Sequence, residues 1–93
     1  MLISHSLDGD VLRVTLLRNL DIATRSAAVK EIEDLVNAHR PRCVTIGVPV
    51  GEPTPATLSA ALRTYRMCAN LGIPLNLTGA STAMQRLFTA NIA

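Results

Sequence analysis

The sequence predicts an α/β domain of order ββαβαβα: a four-stranded mixed sheet, open on one side, with every helix on the other. Three observations predict it. A hairpin signal, Asp8-Gly9-Asp10, separates two short apolar-rich runs near the start. Strand-like and helical stretches then alternate to the end of the chain. And the strand-like stretches alternate apolar with polar residues, the pattern of strands buried on one face only.

Taken in order, residues 2–7 and 11–17 are the first two strands, joined tightly because Asp-Gly supports the positive φ that a short hairpin needs. In the second, Leu12, Val14 and Leu16 alternate with Arg13 and Thr15. Asp21 precedes a helix at about 23–39, with Ala28, Ile32, Leu35, Val36 and His39 at helical spacing. Lys30, Glu31, Glu33, Asp34 and Asn37 fall mostly on its other side, and Pro41 stops it. CVTIGV (43–48) is a strand with Val44, Ile46 and Val48 inward. The segment 49–57 follows, with Thr54 as helix N-cap and Pro55 at the first helical position. The second helix runs to about residue 71 with an apolar stripe of Leu58, Ala61, Leu62, Tyr65 and Ala69, and Gly72 ends it. A strand at 73–78 carries Leu75 and Leu77 inward and Asn76 outward, and a helix at about 81–90 completes the chain. Sequential right-handed crossovers stepping the same way put the helices on one face.

Composition narrows the function. The 93 residues make one domain, 48% apolar and 17% charged, an ordinary globular balance. No apolar run is long enough to span a membrane, and no leader-like start is visible. A net charge of +2, from eight arginines and one lysine against seven acids, is too slight and scattered to predict a nucleic-acid partner. Cys43 and Cys68 match neither a zinc spacing nor a redox pair, so they read as reduced, buried or half-buried thiols of a cytoplasmic protein. His5 and His39 stand alone and read as surface or helix-end histidines. No metal, cofactor or acid–base pair is predicted, and the expectation is a protein that is not an enzyme.

Every strand-to-helix connection leaves the carboxyl end of its strand at the same rim. Asp21 with Thr24, the 49–57 loop and the stretch Gly79-Ala80-Ser81-Thr82 are therefore expected to converge there, where helix N-termini suit ligands or anions.

At this point the residues resemble a family. LDIAT (20–24) looks like the G-E-L-D-x-x-T element of STAS domains, the anti-sigma factor antagonist family. The run ATLSAALRTYRMCANLGIPLNLTGAS (56–81) is similar to that family's second helix and following strand, matching at Leu58, Leu62, Arg66, Gly72, Leu75 and Leu77, and MQRLF (84–88) sits where its third helix lies. The resemblance implies a βα superhelix with helices on one face, and a protein that binds an anti-sigma factor or kinase through the rim and the second helix. In such proteins the kinase switches binding off by phosphorylating a serine in a D-S-S-G motif; a phosphate adds about −1.5 to −2 charges to the docking surface.

Counted without gaps, that motif falls on Thr54-Pro55-Ala56-Thr57, so the acceptor position is Pro55, which has no hydroxyl. Asn19, preceded by Arg18, replaces the family's Gly-Glu pair before Leu-Asp. The resemblance stops before the final strand and helix of longer members, implying an edge or apolar face covered by a partner or a second copy. The expected interaction set is Asp21, Thr24, Glu52, Thr54, Pro55, Thr57, Leu58 and Arg63, without phosphorylation, Thr54 and Thr57 being the weak candidates. Arg63, Arg66 and Arg86 make the chain after Glu52 basic, with no acid to offset them. Two alternatives stay open. One is a STAS subunit of a larger assembly, such as a lipid-transport ATPase complex or a stress-signalling scaffold. The other is a rim that binds a nucleotide or small anion, which no glycine-rich phosphate motif supports.

Overall fold

A computed structural model describes residues 2–49 and 51–92, so Val50, within the 49–57 segment, lies outside the described residues with Met1 and Ala93. The elements are β1 (Ile3–Asp8), β2 (Val11–Leu16), α1 (Ile22–His39), β3 (Cys43–Gly47), α2 (Pro55–Asn70), β4 (Leu75–Thr78) and α3 (Thr82–Ile92). The strands form one sheet in the order β1-β2-β3-β4, β1 antiparallel to β2 and the rest parallel. This is the predicted ββαβαβα layout.

Gly9 takes φ +62° at the hairpin tip, a conformation that costs glycine nothing. Register then carries the core across the sheet: Leu12 faces Val44 and Val44 faces Leu75, while Val14 faces Ile46 and Ile46 faces Leu77. All but Leu77, which is half-buried, are buried. The alternate positions Arg13, Thr15 and Asn76 are exposed, and Cys43, Thr45 and Gly47 are half-buried on the uncovered face. Ala28, Ile32 and Val36 of α1, Met84 and Phe88 of α3 and the buried face of α2 join the same single core. The alternation in the strands therefore reports a sheet covered on one side.

The structure corrects or extends the sequence reading in four details. β1 is an edge strand whose only buried residue is Ile3; His5 and Leu7 share Ile3's face but are exposed. α2 buries Ala56, Thr57, Ala60, Ala61, Leu62, Thr64 and Cys68, whereas Leu58 and Tyr65 are half-buried and Ala69 is exposed. Its core side is thus built from small residues that let the helix approach closely, and Tyr65 instead meets Phe88 of α3 edge-to-face at 5.6 Å. His39 is exposed at the end of α1, as a lone helix-end histidine is expected to be, and so does not continue the helix's buried row. Lastly, β4 begins at Leu75 because the preceding residues close α2. The N–H of Ile73 donates to the Cys68 carbonyl (2.8 Å) and that of Gly72 to Ala69 (3.0 Å), with Gly72 at φ +73°.

Candidate functional site

The rim at the carboxyl ends of the parallel strands is built around Asn19, in the β2–α1 turn. Its side-chain amide donates to the Glu52 carbonyl (3.1 Å), and its amide oxygen accepts from the Thr54 N–H (3.2 Å) and the Thr57 hydroxyl (3.0 Å). The neighbouring Leu20 completes the joint: its N–H donates to Thr57 Oγ1 (2.8 Å), and its carbonyl accepts from Thr54 Oγ1 (2.6 Å). Thr54 also accepts the Thr57 N–H (3.2 Å), so it is the N-cap of α2, with Pro55 at the first helical position. Two loops distant in sequence are thereby fastened through one amide and two hydroxyls.

The proton inventory restricts both hydroxyls. A carbonyl only accepts, so Thr54's single hydroxyl proton goes to Leu20. Thr57's proton is shared between Asn19 Oδ1 and Thr54 Oγ1, which lie 3.0 and 2.9 Å away. Thr57 has no solvent exposure, and Thr54 is half-buried. Pro55 is exposed but has neither a hydroxyl nor an N–H to offer.

Asp21 and Thr24 serve a separate purpose. Asp21 Oδ1 accepts the Thr24 N–H (2.8 Å) while Thr24 Oγ1 accepts the Asp21 N–H (2.9 Å), a reciprocal capping box on α1. The backbone bond from Thr24, and then that residue's hydroxyl, hold the Asp21 carboxyl below its ordinary pKa. Ser81 caps α3 by a single bond, its Oγ accepting the Met84 N–H at 3.1 Å. The third segment reaches the rim beside β3: Val48 N–H donates to the Thr78 carbonyl (3.0 Å), and a Cβ on Gly79 would stand 3.3 Å from the Val48 carbonyl.

Of the predicted set, Glu52, Thr54 and Thr57 meet at Asn19, and Pro55 stands beside them. Asp21 and Thr24 cap the adjoining helix. Leu58 is half-buried, and Arg63 is exposed two turns into α2, roughly 12 Å along the axis from Pro55 at 1.5 Å per residue. The sequence reading missed Asn19 as the centre of the joint. It also missed Arg25, whose Nε is buried with no hydrogen-bond partner among the described residues. Arg25 shares a helical row with Ala28, Ile32 and Val36, which is the signal that its stem faces inward. Among the described residues no three His, Cys, Asp or Glu side chains gather to hold a metal ion, and no helix is long and apolar enough to cross a membrane. No protein-family profile matches the chain, and no curated protein shows significant similarity to it.

Proposed function

We propose that the chain is a non-enzymatic protein-interaction module of the anti-sigma factor antagonist kind, which docks an anti-sigma factor or kinase through this rim and the exposed side of α2. Binding is constitutive or set by abundance. The one observation that carries the regulatory part is the state of the hydroxyls around Pro55. Thr54 donates its proton at 2.6 Å to Leu20, and Thr57 is sealed beneath the joint. A kinase acting on either would first have to open the Asn19 network. Supporting the docking part, five hydrogen bonds tie the Asn19 side chain and the Leu20 backbone to Glu52, Thr54 and Thr57, so little further ordering is needed when a partner binds. His5 lies on β1 and His39 at the exposed end of α1, neither of them in the rim loops.

The test has two arms. The protein is used as bait in a lysate of its native host, and an anti-sigma factor is the expected capture; a transporter ATPase or no specific capture would refute the antagonist reading. With the captured partner in hand, Arg63→Glu should slow association, more so at low salt, because an exposed charge steers encounter. Incubation with cognate kinase and ATP should leave Thr54 and Thr57 unmodified by mass spectrometry. Stoichiometric phosphate on either, with loss of partner binding, would show a working switch.

A further inference from the structure

The helices leave one side of the sheet's inner face uncovered. Between the edge strand β1 and α1 runs an open groove of about 490 Å³, lined by Ile3, His5, Glu31, Asp34, Leu35 and Ala38. It exists because Ile3, His5 and Leu7 all project to the helix side, while α1 covers only the first of them. Ile3, Leu35 and Ala38 make most of the groove apolar, His5 adds an imidazole from the strand, and the helix wall carries two carboxylates. Such a groove fits an exposed helix with an apolar knob flanked by positive charge.

The same chain presents that complement at its far end. On α3, Met84 and Phe88 are buried against the core, and the opposite side exposes Ala83, Arg86, Leu87 and Ala90. Leu87 is 50% exposed, a large apolar side chain on a ridge of alanines, and Arg86 stands beside it with no acidic residue anywhere after Glu52. Small residues along the ridge allow close approach, Leu87 supplies the knob, and Arg86 supplies the charge opposite in sign to Glu31 and Asp34. Lys30 bonds Asp34 at 2.9 Å and so offsets part of its charge, which leaves Glu31 as the main electrostatic partner.

From this complementarity we infer that the α1–β1 groove receives α3 of a second copy. The contact is heterologous, groove to ridge, so a pair leaves one groove free on one copy and one ridge free on the other, and association continues into short chains or a ring. It uses neither the Asn19 joint nor Arg63, so it stands or falls independently of the antagonist reading.

Sedimentation or light scattering of the purified chain tests it. The average mass should rise with concentration and fall as salt is raised. Leu87→Asp should weaken association by about tenfold or more while leaving the folded signal intact, since the side chain is half-exposed in the isolated copy. Glu31→Arg and Arg86→Glu should each weaken it, and mixing these two variants should restore it, because their reversed charges again face opposite signs. A monomer at every concentration would overturn the inference. So would self-association that ignores Leu87→Asp, or a pair of charge variants that fails to rescue when mixed.

Discussion

Thr57 and Thr64 are both threonines of α2 with no solvent exposure, yet their hydroxyls have different worth. Thr57 Oγ1 is the acceptor for the Leu20 N–H, a buried group with no other acceptor among the described residues. Thr64 Oγ1 donates at 2.8 Å to the carbonyl of Ala60, within a helix where that carbonyl already has a backbone partner one turn on. Replacing each by valine keeps the shape and removes the hydroxyl. Thr57→Val should therefore cost about 1–3 kcal/mol, the penalty of an orphaned buried donor, whereas Thr64→Val should be nearly neutral. In thermal unfolding each kcal/mol lost lowers the midpoint by roughly 4–8 °C in a domain of this size. Equal effects at the two positions would contradict the assignment of Thr57 as the bolt of the rim. Thr54 was legible as a cap from the residues around it; Asn19 was not legible as the centre of the joint, because its partners lie more than thirty positions away.

Among the elements, the two long helices end differently. α2 closes on Gly72, which takes φ +73° freely. α1 closes on Arg40 at φ 47°, ψ 57°, its N–H donating to the Val36 carbonyl at 2.8 Å. A non-glycine residue in the left-handed region is strained by its Cβ, and Arg40 is exposed, so its side chain is not needed for burial. Arg40→Gly should raise stability by about 0.5–1 kcal/mol, the steric relief outweighing the added freedom of the unfolded chain. Urea unfolding measures it, and a loss of stability would show that the arginine side chain contributes more than the strain costs. Helix boundaries were readable to within a residue or two from caps and stops. The face that α2 buries was readable only in part: Ala61 and Leu62 are buried as the periodicity implies, but the helix also packs through Ala56, Thr57, Ala60, Thr64 and Cys68, small residues that a pattern of large side chains does not mark.

For the whole molecule, the core and the uncovered sheet face give the two free thiols opposite fates. Cys68 is buried, and burial, with a smaller push from Cys43, raises its pKa from 9.0 to about 11. Cys43 is half-buried on the uncovered face, beside the Asn76 amide at 3.7 Å. At neutral pH a thiol reagent should label Cys43 in the native protein and reach Cys68 only on unfolding. Because the folded state holds the Cys68 proton more tightly than the unfolded one, its contribution is fully present below pH 9.0 and is lost as pH rises toward about 11. The urea midpoint should fall across that window, and Cys68→Ala should remove this part of the slope although it lowers stability overall. Fast labelling of both thiols at neutral pH would mean that the helix layer opens readily.

Local sequence is enough for the element order, the hairpin at Gly9, the one-sided sheet, the cap at Thr54 and the stop at Gly72. Each is a local matter: a φ that only certain residues tolerate, a side chain that reaches three residues along the chain, or a period of two imposed by a face in contact with water. Tertiary structure alone decided that Asn19 binds Thr57 across 38 positions, that α2 turns its small residues inward, and that β1 runs out beyond the cover of α1 to leave a groove. These depend on how closely and at what angle the helices settle on the sheet. That is set by the packing of many side chains together and is written in no short stretch of the chain.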